Sequence, residues 1–374
     1  MSEIEASQTF VDRYAVIHGP LVVSICIFGI ASNIINIIVL TRRQMLGPTN
    51  VLLTGLSSAQ LVLLCNYLIY TSYVIADEPC NRATKTYIWL SYLLLNVNLN
   101  LVSHTIALVH TTSLAVFRYV AVAYPVKCKK LVSVAAAKRV VLAAFITVPL
   151  VCTTFYPNSV VVTKNLTRED CPEWKTELGD GPDPILYELR YHADRRVLRD
   201  YNFWFFGTVC KLLPCSLLVI LSLLLIQELS RVRRRRKQRL GLSRKPSKST
   251  WSQTERHRWQ VTIMLISIVL LFVAVELPQG VLNMLSAILK DDFIDIYTSL
   301  GDFFEMLTVG YSSINFVLYC TMSSQFRTTF KVLFFGASLQ TVDGTWAKLA
   351  SPTLNERRQL RAKGQSTRYF TQTI

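Results

Sequence analysis

Long apolar runs separated by charged connectors constrain this chain of 374 residues more than any other feature. A helix of about 20 apolar residues crosses the hydrocarbon core of a bilayer, because it satisfies its backbone hydrogen bonds internally. The apolar runs are Pro20–Leu40, Val51–Ala76, Tyr87–Phe117, Val140–Tyr156, Asn202–Gln227, Gln260–Leu289 and Ile296–Tyr319. The sequence therefore predicts an all-α membrane protein, a seven-transmembrane helix bundle, and argues against a soluble enzyme built around one core.

Charge alternates between the connectors and decides whether the fourth run, which is short and contains Pro149, counts as a helix. One set of connectors carries a net charge of +24 and the other −6. The basic set is 41–49, 118–139, 228–259 and 322–374, and the other set is 1–19, 77–86, 157–201 and 290–295. Basic connectors stay on the cytoplasmic side, and the alternation closes only with seven helices. The amino terminus is therefore predicted outside the cell and the carboxyl terminus inside.

This topology divides the chain into four predicted parts in the plasma membrane. They are an extracellular segment 1–19, a seven-helix domain 20–321, an amphipathic helix 322–336 and a cytoplasmic tail 337–374. The tail is polar, so we expect it to be disordered, with serines and threonines that are candidates for phosphorylation and arrestin binding. The net charge of +16 is explained by sidedness and by contact with anionic inner-leaflet lipid, which makes nucleic-acid binding the weaker interpretation.

Polar side chains recur at helical spacing inside three of the predicted helices. The candidates for ligand binding are Asn96, Asn100 and His104 in the third run, Glu276, Gln279 and Asn283 in the sixth, and Asp302 and Glu305 in the seventh. Such groups are costly in a bilayer unless they have partners, so they commonly mark functional sites. Together they predict an outward-opening cavity with negative charge, suited to a ligand that carries a cation or amide groups.

The alternative is that these polar groups satisfy one another between helices. In that case Glu276 is a neutral, hydrogen-bonded carboxyl group, and Asp302 is a solvated helix start. Pro278 follows Glu276 closely and predicts a kink, because proline removes a backbone hydrogen bond from the helix. A charged group at a kink could couple occupancy of the cavity to movement of the sixth helix.

The outer connectors carry two further candidate sites. Cys80 and Cys171 fall where oxidation is allowed, and we predict that they form a disulfide; two free thiols are the alternative. Asn165 begins the sequon Asn165-Leu166-Thr167, which predicts a glycosylation site on the same side. The cysteine and histidine spacings offer no zinc site, and we expect neither a metal nor a cofactor.

Short motifs stand in register with the apolar runs. The third run ends in Phe117-Arg118-Tyr119, the sixth contains Glu276-Leu277-Pro278-Gln279-Gly280, and the seventh ends in Asn315-Phe316-Val317-Leu318-Tyr319. With Asn33 and Pro214, this set resembles the rhodopsin-like (class A) G-protein-coupled receptors over residues 16–336. The variants are similar to invertebrate receptors for FMRFamide-like peptides, in particular the myosuppressin-receptor-related branch that is expanded in nematodes.

The resemblance implies a receptor and not an enzyme. Its ligand would be a short amidated peptide, and its intracellular partner a heterotrimeric G protein. Arg118, Tyr119, Asn315 and Tyr319 are then the expected coupling and activation residues, and the sixth helix is expected to pivot near Pro278. The competing interpretation is a transporter or channel with an outward-facing acidic cavity, but the chain shows no internal repeat of the kind that such proteins contain.

Three departures from the family pattern qualify this expectation. Phe117 replaces the acid that usually precedes the arginine, so a local acid–arginine lock is missing. Gln60 replaces the usual acid of the second helix, so we expect no bound sodium ion. Glu276 replaces the usual tryptophan of the sixth helix, so the activation step cannot be an indole flip.

Overall fold

Helices form nearly all of the computed structural model, which describes residues 2–76, 81–124, 131–164, 171, 184–239, 253–289 and 291–336. The helices are α1 (Ser2–Leu40), α2 (Pro48–Ala76), α3 (Tyr87–Ala123), α4 (Val134–Cys152), α5 (the continuous run of Arg196–Phe205, Phe206–Leu212 and Leu213–Arg239), α6 (Gln253–Leu289), α7 (Asp291–Met322) and α8 (Ser324–Phe335). Short 3₁₀ turns are Arg43–Met45, Thr153–Asn158 and Ala193–Arg195.

Six of these helices contain stretches that are long and apolar enough to cross a membrane. The stretches are Ile17–Leu40, Pro48–Tyr73, Tyr87–Ala123, Val134–Asn158, Val197–Val232 and Ile266–Leu285. The helix through Pro149 is among them, as the charge alternation required. Helix α7 has 32 residues but does not belong to this set, because polar side chains that include Glu305, Ser312 and Asn315 lower its mean hydropathy.

The surface suits a lipid environment. Large apolar side chains are exposed on the outside of the bundle, and amide side chains are buried inside it. Leu142, Leu150 and Leu270 are all more than 60% exposed. Asn33 and Gln60, in contrast, are almost completely buried. Apolar side chains on the outside and amides on the inside are expected where the surroundings are hydrocarbon and polar groups must find partners within the bundle.

Amide and hydroxyl side chains tie α1, α2 and α7 together. The Asn33 Nδ2 atom donates to the Ser312 carbonyl oxygen at 3.1 Å, and the Ser313 hydroxyl donates to the Ile25 carbonyl oxygen at 3.2 Å. The Asn315 Nδ2 atom donates to Gln60 Oε1 at 2.7 Å. Gln60 thus acts as a neutral acceptor for Asn315.

A β-hairpin that the sequence did not predict stands between α4 and α5. Strands β1 (Ser159–Lys164) and β2 (Leu186–Tyr191) pair antiparallel, with Ser159 opposite Tyr191 and Lys164 opposite Leu186. The Tyr187 amide donates to the Lys85 carbonyl oxygen at 2.9 Å, so β2 is fixed to the segment that precedes α3.

The two other predicted features of the outer connectors are only partly described. Cys171 is completely buried and takes part in a disulfide bond. Cys80 lies outside the described residues, so its pairing with Cys171 stays a prediction. The sequon asparagine Asn165 also lies outside them.

Helix α5 changes its winding over Phe206–Leu212, where it forms a π-helix. Pro214 follows two residues later and has no N–H to offer to the carbonyl of Cys210. Carbonyl groups of the preceding turn are then free to bond one residue further along the chain, which is the pattern of a π-helix. The wider turn rotates the residues before Pro214 relative to those after it.

The segment boundaries predicted from the sequence agree with the helices only in part. Residues 2–19, expected as an extracellular segment, belong to α1, which begins at Ser2. The predicted amphipathic helix is α8, and all of it except Ser324 falls in the second of the two compact units into which the chain divides. The predicted tail, residues 337–374, lies outside the described part of the chain.

Replacing Gln60 by leucine should lower the stability of the protein. The Asn315 amide would lose its acceptor inside the bundle, and an unsatisfied buried donor costs about 1–3 kcal/mol. The measurement is the thermal unfolding midpoint of the purified protein in detergent, with the double variant Gln60→Leu, Asn315→Leu as the control that also removes the unsatisfied donor. A midpoint for Gln60→Leu equal to that of the unchanged protein would show that the bond to Asn315 contributes nothing.

A candidate ligand cavity beside a buried ionic cluster

The helices enclose a cavity of about 290 Å³. Its walls come from α2, α3, α5, α6 and α7, together with the end of the 3₁₀ turn Thr153–Asn158 and the start of β1. Five of the eight predicted ligand-binding residues line it: Asn100, His104, Gln279, Asn283 and Glu305. These polar positions on three different helices therefore converge on one space.

The other three predicted residues do not face this cavity among the described residues. Asn96 is buried, and its Nδ2 atom lies 3.3 Å from the Asn66 carbonyl oxygen and 3.4 Å from Asn66 Oδ1. Glu276 is fully buried behind the wall. Asp302 lies in α7, but its side chain is outside the described part of the structure. Asn96 and Glu276 therefore contact side chains of other helices and do not line the cavity.

Glu276 is the centre of an ionic cluster that joins three helices. His104 Nε2 lies 2.9 Å from Glu276 Oε2, and Lys211 Nζ lies 3.3 Å from the same oxygen. Lys211 Nζ also donates to Gln279 Oε1 and lies 5.2 Å from the centroid of the Phe206 ring. Glu276 is 0% exposed and Lys211 is 2% exposed. A carboxylate this deeply buried requires a cation in contact, and Lys211 supplies it.

Two features of the backbone bring Lys211 to Glu276. Lys211 is the sixth of seven residues in the π-helical segment, so the altered winding sets the direction of its side chain. Gly280 lets α6 approach this segment closely, because a Cβ atom at that position would lie 3.1 Å from Lys211 Cβ. The cluster therefore depends on a local distortion of α5 and on a small residue in α6.

Lys211 is a site residue that was not predicted from the sequence. The signal was present, because a lysine inside an apolar run is as costly as the acids that were selected. Its partner could not be identified, since the sequence does not show how α5 and α6 are rotated relative to each other.

The charge of the cavity differs from the expected one. Among the described lining residues, Lys211 and Arg199 are basic and Glu305 is acidic. Glu276, which should have made the cavity negative, is compensated by Lys211. Glu305 forms a hydrogen bond with the Tyr67 hydroxyl. The described walls are thus mixed in charge, with the basic groups on α5 and the carboxylate on α7.

The expected coupling residues lie at or near the other end of the bundle. No ion pair connects Arg118 to an acid within the described ranges, in keeping with Phe117 at the preceding position. The Tyr119 ring packs against a buried apolar cluster that includes Cys215 and Leu218 on α5. Tyr319 is buried as well. The structure thus gives the surroundings of Tyr119 and Tyr319, and the roles of the four residues in coupling stay predictions.

Residues 21–337 match the model of a protein family that is described as serpentine type 7TM GPCR chemoreceptor Srw. The chain is 29% identical to the "G-protein coupled receptor dmsr-1" of Caenorhabditis elegans, over 91% of this chain and 71% of that protein. It is 28% identical to "Sex peptide receptor-related protein 2" of the same organism, over 85% and 71%. It is 26% identical to the "FMRFamide receptor" of Drosophila melanogaster, over 85% of this chain and 53% of that receptor.

Breaking the ionic cluster from one side should destabilise the protein strongly. Glu276→Gln leaves the Lys211 ammonium buried without its counter-charge, and such a loss costs about 3–5 kcal/mol. The measurement is thermal unfolding of the purified protein in detergent.

The matched control for this prediction removes both charges. The double variant Glu276→Gln, Lys211→Met leaves no uncompensated ion, so it should recover much of the stability that Glu276→Gln loses. Additive losses in the two single variants and the double variant would contradict a direct interaction between the two side chains.

Proposed function

Because the chain belongs to the serpentine type 7TM GPCR chemoreceptor Srw family, we propose that it is a receptor for a short amidated neuropeptide. The peptide is of the FMRFamide-like or myosuppressin-like kind and activates a heterotrimeric G protein. Members of this family are multi-pass membrane proteins and not enzymes. Relatives whose names state a ligand include receptors for a sex peptide, for FMRFamide and for thyrotropin-releasing hormone. The observation that carries the proposal is the polar cavity among α3, α5, α6 and α7 in a chain with such relatives.

The size of the cavity supports a ligand that enters by one end. About 290 Å³ falls at the low end of the range of about 300–1,000 Å³ that is typical of small-molecule sites. One end of a peptide fits such a volume, while the rest contacts the outer surface near the β-hairpin. We propose Asn100, His104, Gln279, Asn283 and Glu305 as the direct ligand contacts, with Asn96 and Glu276 acting from behind the wall.

Charge separation within the cavity supports a direction for the ligand. Glu305 provides a carboxylate on α7, and Lys211 and Arg199 lie on α5. A peptide arginine would find its counter-charge at Glu305, which is the acidic side chain among the described lining residues. We propose that the arginine of an Arg-Phe-amide sequence points towards α7.

The proposed signalling step is a shift between two arrangements of the helices. A ligand shifts this equilibrium only if it binds one arrangement better than the other. His104 and Gln279 contact both the cavity and the ionic cluster, and Glu276 lies two residues before Pro278. Peptide binding would therefore act on α6 near Pro278, and movement of α6 would open the inner face at Arg118 and Tyr119 to the G protein.

The proposed orientation places the amino terminus outside the plasma membrane and the carboxyl terminus inside. This orientation is supported by the positive charge of the connectors 41–49, 118–139 and 228–259. Connectors rich in lysine and arginine stay on the cytoplasmic side of a membrane. We further propose that the basic inner connectors contact anionic lipid and that the tail binds arrestin after phosphorylation. The transporter alternative finds no support, because the named relatives are receptors.

Cells that express the chain should respond to amidated neuropeptides. The experiment is a dose–response measurement of G-protein activation with a panel of Arg-Phe-amide peptides, including FMRFamide, and with surface expression confirmed by an epitope tag. At least one peptide should activate the receptor at submicromolar concentration, as expected for a binding free energy of about −8 kcal/mol or better. Silence towards the whole panel, with the receptor at the surface, would contradict the peptide assignment.

Glu305→Gln should weaken the response to arginine-containing peptides selectively. Loss of a charge-assisted hydrogen bond costs about 1.5–3 kcal/mol, which corresponds to about 10–100-fold in potency. The matched control is a peptide in which citrulline replaces arginine, because this ligand lacks the positive charge and should lose little. Equal losses for both peptides would remove Glu305 from the arginine site.

A further inference from the structure

We propose that Lys211 sets the hydrogen-bonding polarity of His104 and Gln279, so that the cavity accepts a primary carboxamide and rejects a carboxylate. His104 and Gln279 are called the amide-recognising pair below. This inference rests on the proposed function, because it names the group on the peptide that the pair distinguishes. Lys211 is a positioning residue in this account, and His104 and Gln279 are the residues that determine specificity.

The first step is the charge balance of the cluster. Glu276 and Lys211 are both almost completely buried, and their charges cancel at a separation of 3.3 Å. A protonated His104 would add a second cation beside one carboxylate and leave a net positive charge inside the bundle. Burying an uncompensated charge is costly, so His104 is neutral while Lys211 is in place.

The second step is the tautomer of His104. A carboxylate only accepts hydrogen bonds. His104 Nε2 lies 2.9 Å from the Glu276 carboxylate, so Nε2 is the ring nitrogen that carries the proton. In a neutral imidazole the other nitrogen, Nδ1, is then an acceptor. No residue of the described chain hydrogen-bonds Nδ1, and this atom is not among the fully buried polar atoms. Since His104 lines the cavity, Nδ1 is the atom that it offers to a ligand.

The third step is the orientation of the Gln279 amide. An ammonium group only donates hydrogen bonds. Lys211 Nζ donates to Gln279 Oε1, so the oxygen of the Gln279 amide faces Lys211. The Nε2 group of Gln279 then points away from Lys211 and carries two N–H donors. Gln279 also lines the cavity, and no hydrogen bond within the described ranges uses these donors. The pair thus presents one acceptor, His104 Nδ1, and one donor group, Gln279 Nε2.

This combination matches a primary carboxamide. The N–H of the ligand amide donates to His104 Nδ1, and its carbonyl oxygen accepts from Gln279 Nε2. A carboxylate has only acceptors, so it would place its oxygen against the Nδ1 lone pair and leave that nitrogen unpaired. Sites that are built to hydrogen-bond one group discriminate strongly against an analogue that cannot make the bond.

The experiment compares each amidated peptide of the panel with its own free acid in a dose–response assay of G-protein activation. The measured quantity is the amide preference, which is the ratio of the half-maximal concentrations of acid and amide. We expect a preference of about 100-fold or more for the unchanged receptor. Lys211→Met should reduce it at least tenfold and raise the potency of the free acid, because His104 then gains a proton and Nδ1 becomes a donor. Lys211→Arg, which keeps the charge, should retain most of the preference.

Two variants of His104 separate its two ring nitrogens. In His104→Gln the amide reaches the position of Nε2 and can still donate to Glu276, but the acceptor at Nδ1 is gone. In His104→Asn the side-chain oxygen takes the place of Nδ1, but the contact with Glu276 is gone. We expect His104→Gln to lose the amide preference and His104→Asn to keep more of it.

The possible outcomes are distinguishable. An unchanged amide preference in both Lys211→Met and His104→Gln, with normal surface expression, would overturn this inference and leave the proposed function intact. Greater potency of the free acids at the unchanged receptor would also overturn it. Silence of the unchanged receptor towards every amidated peptide would overturn both proposals together.

Discussion

A carboxylate that is completely buried between apolar helices is the constraint on which this structure depends. Glu276 cannot remain ionised at a fully buried position unless a cation contacts it. This cation is Lys211, which comes from another helix. The contacts of Glu276 with Lys211 and His104 fix α6 against α5 and α3 at the same depth. The apolar contacts of these helices are less directional, since hydrophobic burial alone tolerates sliding and rotation. The ionic cluster therefore determines how the three helices are rotated relative to one another, and so which side chains face the cavity.

The distortion of α5 follows from the same constraint. An undistorted α-helix fixes the angle between successive residues at about 100°, so a lysine can face a given neighbour only if its position happens to suit. The π-helical segment Phe206–Leu212 changes this angle immediately before Pro214, and Lys211 lies within it. Gly280 removes the side chain that would otherwise separate the two backbones. The local departures from regular structure thus occur where the buried charge pair requires them.

How much of the site could be predicted differs from residue to residue. The spacing of Asn100 and His104 was enough to place both on one face of α3, because helical periodicity is a local property. Asn96 shares that spacing but bonds to Asn66 on α2. Which neighbour an amide reaches depends on the crossing of two helices, and no local pattern contains that information. The hairpin between Ser159 and Tyr191 was missed for a related reason, since its strands pair across a segment of more than twenty residues.

A contiguous apolar core connects the ionic cluster to the carboxyl-terminal end of α3. Phe272 lies one turn before Glu276 on α6, is almost completely buried, and packs at 5.4 Å between ring centroids against Tyr311 on α7. The same core contains Leu108 on α3 and Leu218 on α5, and the Tyr119 ring packs against it. Because close-packed interiors do not deform continuously, a rotation of α6 at Glu276 must displace these side chains together. Tyr119 adjoins Arg118, so the path from the cavity to the expected coupling residue needs no polar relay. The requirement is that the side chains of the apolar core move together when the contacts of Glu276 change.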